Sequence, residues 1–285
     1  MSVKLLLLRY SQFVLACVFA PQLFAHAAVD EQLASTDAKI RQQPNNAELY
    51  IHRGRLLLEA GYLEDAEDDF SHALALDGKL QAGHFFLASV YLQANAPQNA
   101  EHETLQFIRL ANKGDVGSLA RGYRQLGHSY WQQGKQREAA EAYRSAIYYA
   151  TEPAPDQYIE CAAAFMALDK SQQLKALVVL DQGLAKLGPL VALQEAAINA
   201  ELQLGDTHAA ISRLDTLVAQ VKRPAFWLYR KAQVLAKARR FEEAKHSFSD
   251  ALEAIGQLRP QQRQLRATAQ LKSDIMAALA ALPTK

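Results

Sequence analysis

The residues able to do chemistry are few and dispersed. Eight histidines occur in 285 residues, and no two stand four apart, the spacing at which one helical face presents a pair of imidazoles to zinc. Glu101-His102-Glu103 sets three polar groups side by side, but neighbouring helical positions point to different faces, so the run reads as solvated surface. The adjacent carboxylates Asp68-Asp69 and Glu242-Glu243 lack the convergence that a general acid and base require. Cys161 has no histidine near it in sequence to draw off its proton, so it reads as a small inert hydrophobe. No G-x-x-x-x-G-K-S/T, G-x-G-x-x-G or G-x-S-x-G run is present, and the glycines stand where helices end rather than where a phosphate would sit. No catalytic residue, metal site or cofactor is expected, and the chain reads as a non-enzyme.

What the sequence does encode is paired helices. From Ala120 to Ala150, Tyr123, Leu126, Gly127 and Tyr130 recur at i, i+3, i+4 and i+7, one face of a helix. Gly134-Lys135 breaks the pattern, and Ala139, Ala142, Tyr143 and Ala146 rebuild an apolar stripe. Small residues let two antiparallel helices approach, and the large ones fill the space between them. A hairpin this short cannot bury its own faces and needs copies of itself on either side. Hydrophobic residues make up 50% of the chain, with Ala and Leu outnumbering Val and Ile, which favours helix over strand. A formal net charge of +1 gives neither a nucleic-acid footprint nor an acidic tail.

The copies recur. Tyr50, Gly54, Gly61, Ala66, Phe70 and Ala73 repeat the skeleton, as do Trp227, Ala232, Leu235, Phe241, Ala244, Phe248 and Ala251. Fainter versions contain Leu87, Ala88, Tyr91 and Ala100, then Ala163, Ala164, Ala176 and Leu180, then Leu193, Gly205, Ala210 and Leu214. With its period of about 34 residues, the pattern resembles the tetratricopeptide repeat family, here in the form of an exported bacterial member. The resemblance implies an all-α fold, a right-handed superhelical solenoid of tetratricopeptide-like helical hairpins.

The expected plan is a leader over 1–27, a capping helix over 28–46 and six repeats at 47–80, 81–119, 120–156, 157–190, 191–224 and 225–258. A final amphipathic helix, Gln261 to Leu282 with Leu265, Leu271, Ile275 and Leu279 on its apolar side, caps the chain within 259–285. The leader is read from Lys4, the apolar LLLL and FVLACVFA runs, and the small-x-small Ala25-His26-Ala27. Cleavage after Ala27 ranks first, and retention as an N-terminal membrane anchor second. Acylation of Cys17 comes a distant third. Removing Lys4 and Arg9 takes 31 basic residues to 29 against 30 acidic ones, a net of −1. Two junctions look lengthened. The second helix of the second repeat is expected to run on through Phe107, Ile108 and Leu110 into a turn-rich insertion over 111–118, and Pro153 and Pro155 stretch the junction at 151–156.

In the family the first helix of each hairpin lines an inner groove, and the resemblance carries that role onto one stripe per first helix. The stripe is Ile51, Arg55 and Leu58; Phe85, Ser89 and Leu92; Arg124, His128 and Trp131; Tyr158, Cys161 and Phe165; Glu195, Asn199 and Leu202; Tyr229, Gln233 and Ala236. Members of each set lie three or four apart and share a face. Trp131 follows the packing residue Tyr130, so its indole is expected to turn toward the groove. Ile51 and Phe85 stand where a chaperone-type carboxylate clamp needs polar groups, so that specialised function is not carried over. The expectation is a protein-binding scaffold of the periplasm that takes an extended peptide or a partner helix, with no nucleic acid bound and peripheral envelope association. The alternative is a glycan- or small-molecule-binding subunit of an envelope machine, stacking its ligand on Trp131, Tyr158 and Phe165.

Overall fold

The computed structural model describes residues 29–112 and 114–283, so the leader expected at 1–27 lies outside the described residues. All regular structure among the described residues is helical. The chain divides between Glu152 and Pro153 into two compact units. In the first unit a helix α1 (29–42) precedes three hairpins, α2 (Ala47–Ala60) with α3 (Leu63–Leu76), α4 (Gln81–Gln93) with α5 (Pro97–Leu110), and α6 (Val116–Gln132) with α7 (Gln136–Tyr149). The second unit pairs α8 (Pro155–Met166) with α9 (Lys170–Leu187), α10 (Val191–Leu204) with α11 (Thr207–Gln220), and α12 (Ala225–Lys237) with α13 (Phe241–Gly256), then ends in α14 (Pro260–Arg263) and α15 (Arg266–Ala280).

Two hairpins of the first unit close by setting a ring against a missing side chain. A Cβ on Gly54 would lie 2.6 Å from the Phe70 ring, and one on Gly127 would lie 2.6 Å from Tyr143. Alanines 66, 73, 139 and 146 flank these contacts and are essentially inaccessible. Burying a ring such as Phe70 stabilises by roughly 1.5–3 kcal/mol, and the close approach is available only because the facing helix has no side chain there. Most of the hairpin turns pass through a left-handed residue, which is Gly61, Gly134 or Gly205 in three of them but Asn95 and Arg239 in two others.

Neighbouring hairpins are tied by apolar clusters and ion pairs. Ile40 of α1 joins Tyr50, Ile51, Phe70 and Val90 in one core. The Arg53 fork donates to Asp69 of α3 at 2.6 and 2.8 Å and to Asp37 of α1 at 2.6 Å. Its hydrogen bonds to Asp69 hold the guanidinium above its ordinary pKa, against burial and with Asp37 adding to the effect. Arg213 of α11 plays the same part in the second unit, bonding Glu201 of α10 and Asp181 of α9. Burial opposes its charge, yet these two carboxylates raise its pKa. At the chain's end, α15 lays Ile275 and, less deeply, Leu271 and Leu279 onto the cluster that contains Phe248 and Ile255.

Two expectations about elements are corrected. The second helix of the second hairpin does run through Phe107, Ile108 and Leu110, but at 14 residues α5 is no longer than α3 or α7. The turn after it is shorter than the expected 111–118, because α6 already begins at Val116. The surplus instead winds onto the next element, where α6 reaches 17 residues. Its start is fixed by the Asp115 carboxylate accepting from the Ser118 amide at 2.9 Å, which satisfies an amide that has no partner in the helix. The terminal helix is likewise not continuous from Gln261. It breaks at Gln264–Leu265 into α14 and α15, and Leu265 is 55% exposed instead of packed.

Candidate functional site

Four of the expected groove residues are core. Ile51, Tyr158 and Phe165 are 4%, 2% and 1% exposed, and Cys161 between the last two is fully buried. The cause is the volume balance of each hairpin. Where Phe70, Tyr143 and Phe248 fill their hairpins from the second helix, α9 offers only Leu180. The first helix, α8, supplies the missing volume by turning Tyr158 and Phe165 inward, and the Tyr158 ring lies 2.9 Å from where a Cβ on Gly183 would stand. The second hairpin shows a milder form of the same exchange. Thr104 sits on α5 at the place of the ring, and Phe85 packs 5.0 Å from Phe107. Ile51 is covered in the core it shares with Leu87 and Val90 of α4, and α4 comes close to α3 at Gly83, where a Cβ would lie 2.7 Å from Leu74.

The remaining first-unit residues are engaged to differing degrees. Arg55 is exposed and rests its guanidinium 5.3 Å from the Phe86 ring centroid. Ser89 accepts from Gln125 Nε2 at 2.8 Å and donates to the Phe85 carbonyl at 3.0 Å, bridging α4 to α6. Gln132 extends the same seam by donating to the Leu92 carbonyl at 3.2 Å. His128 shares a 3.0 Å hydrogen bond with the Tyr143 hydroxyl, so it positions the buried ring of its own hairpin. Arg124 is half-buried, and Trp131 is 44% exposed.

In the second unit the first helices α8, α10 and α12 lie side by side with a cavity on each flank of α10. The one between α8 and α10, about 360 Å³, is walled by Ile159, Met166 and the alanines 162, 163, 196 and 200. The one between α10 and α12, about 570 Å³, is walled by Phe226, Arg230, Gln233 and Lys237. Asn199 borders both. Arg230 donates from Nη1 to Glu195 Oε1 at 2.7 Å and from Nη2 to Asn199 Oδ1. The structure therefore brings Glu195, Asn199 and Gln233 together. Tyr229 turns the other way, its ring 5.9 Å from Phe248. In its place stand Phe226, Arg230 and Lys237, which the stripe omitted. Their signal was present in the sequence: 226, 230, 233 and 237 follow the i, i+4, i+7 rule of one helical face.

Six antiparallel hairpins, some of them closing a ring on a glycine, form the arrangement of one repeat family. Family models of the tetratricopeptide repeat match residues 47–80 and 120–152, and another of the same description matches 195–262. This is a tetratricopeptide repeat protein. No curated protein matches it in sequence. Among solved structures, a tetratricopeptide repeat protein from Parabacteroides merdae is similar at 14% identity, over 90% of this chain and 95% of that one, with a TM-score of 0.51. MamA is similar at 21% identity, over 58% of this chain and 92% of that one, with a TM-score of 0.50. At such identities the likeness is one of fold. Tetratricopeptide repeats are a protein-binding scaffold.

Proposed function

We propose that this protein is a non-enzymatic scaffold of the bacterial cell envelope that holds a segment of a partner protein on the first-helix face of its second unit. The observation that carries the reading is the pair of cavities flanking α10 and joined at Asn199, one walled mainly by alanines with Ile159, Met166 and Leu180 and the other by Phe226, Arg230 and Lys237. A seat with a dry half and a polar half orients a peptide as well as retaining it. The leader read in the sequence supports the envelope location. The glycan alternative loses support, because two of the three rings proposed for stacking, Tyr158 and Phe165, are buried.

The test is affinity capture from the native envelope by the full chain, by a variant with Arg230→Glu and Lys237→Glu, and by a control with Ser212→Glu on α11. A partner retained by the wild type and the control but lost by the double variant supports the reading. Equal retention by all three removes the second-unit face from consideration. N-terminal sequencing of the native protein tests the location separately: a mature chain starting at Ala28 is expected, and an unprocessed cytosolic chain would contradict it.

A further inference from the structure

We infer that the occupant of this face is an extended segment with an acidic side chain about three residues from a small apolar one, and that Glu195 is an internal stand-in which the acidic side chain displaces. The inference rests on the docking reading above and adds what the segment must contain.

The polar cavity is walled by two cations, Arg230 and Lys237, and by no carboxylate. Lys237 lies two turns beyond Arg230 on the same face of α12. The carboxylate that pairs with Arg230 is Glu195, which reaches it from α10 at 2.7 Å. Its side chain is 42% exposed against 19% for Arg230. The cation is thus held in place while its counter-ion remains open to solvent. Pairs of this kind contribute little, so an incoming carboxylate can take over the guanidinium without a large penalty. Asn199 keeps its own hydrogen bond to the other guanidinium nitrogen and holds the fork aimed during the exchange. Lys237 then adds a second positive charge to the incoming group, which Glu195 does not exploit.

The second requirement comes from the other flank of α10. Alanines at 162, 163, 196 and 200 keep much of that cavity's wall low, beside Leu180 and Gln203, so an extended backbone can approach and set a small apolar side chain against Ile159 and Met166. The two cavities are separated by one helix. Adjacent helices pack about 8–10 Å apart, and an extended chain in the polyproline II form advances about 3.1 Å per residue and returns to the same face every third residue, which puts the two side chains about three residues apart. A helical segment rising about 1.5 Å per residue would need about six.

The probes are short fluorescent Gly/Ser peptides, amidated at the C-terminus, carrying one Val and one Glu at graded separations. Matching peptides have Gln for Glu, and one form has a free C-terminal acid and no Glu. Binding to the full chain should peak at a separation of about three, and the Gln counterpart should bind about tenfold more weakly, as expected for loss of a charge-assisted pair. Glu195→Gln should tighten the Glu peptides about two- to fivefold, the range of an exposed pair, and leave the Gln peptides unchanged. Equal binding of Glu and Gln peptides, an unchanged affinity in Glu195→Gln, a best separation of about six, or binding of the free-acid form alone would each overturn the inference while leaving the docking site in place. Failure of every peptide to bind would remove the docking site and the inference together.

Discussion

Gly54 and Gly127 show how much of this fold is decided by single atoms. Each faces a buried ring, and a Cβ on either would come within 2.6 Å of it. Phe70 is fully enclosed and Tyr143 is 4% exposed, so neither ring has room to retreat. Gly54→Ala or Gly127→Ala is therefore expected to destabilise the protein by about 1–3 kcal/mol, the scale of overpacking in a core. Gly256→Ala, which meets nothing within 4 Å, should be neutral or slightly stabilising, because alanine restricts the unfolded chain. Urea denaturation of the three variants measures both signs. The same volume logic explains what the sequence showed of the site and what it hid. Glu195, Asn199 and Gln233 were found because a fixed register along each first helix selects them. Tyr158 and Phe165 were misplaced because that register assumes the second helix always supplies the ring, and α9 supplies Leu180 instead. Register is written in one helix; volume is shared between two.

At the scale of elements, the hairpins were legible because a small residue, a ring and a turn glycine recur at a fixed period. Their ends were less so. The early start of α6 depends on one carboxylate meeting one amide, Asp115 and Ser118, and the turn before α13 places Arg239 at φ 59°, where nothing in its side chain announces a left-handed residue. Contacts between hairpins are hidden for the same reason, since their partners lie far apart in sequence. Tyr91 of α4 donates its hydroxyl to Glu67 of α3 at 2.9 Å, joining the second hairpin to the first. Burial and the Glu67 carboxylate push the Tyr91 pKa from 10.0 up to about 12. A raised pKa means that the folded protein keeps a proton the unfolded chain has released, so stability from this contact is complete below pH 10 and fades as pH rises toward 12. Ultraviolet titration should show a late tyrosinate step that vanishes in Tyr91→Phe and moves to lower pH in Glu67→Gln. A late step unaltered by both variants would assign it to another tyrosine.

At the scale of the molecule, hairpins within each unit hold together by nearest-neighbour contacts, so damage should spread by proximity along that unit. The second unit is closed at its C-terminal side by α15, whose one fully buried residue is Ile275. That side chain joins the cluster containing Phe248, Ala251 and Ile255, so its loss uncovers the α12–α13 hairpin before any other. Ile275→Ala should cost about 2–5 kcal/mol if the site relaxes as cores do. A fraying end lets α15 detach instead, which sets a ceiling on what global unfolding reports. Hydrogen exchange distinguishes the two behaviours. If the stack opens from its end, amides of α15 and then of α12 and α13 lose protection first, those of α10 and α11 lose less, and those of α2 to α5 exchange as in the wild type. Uniform loss across every helix would mean that the chain unfolds as one cooperative body, and that the hairpins depend on each other over a longer range than their contacts require.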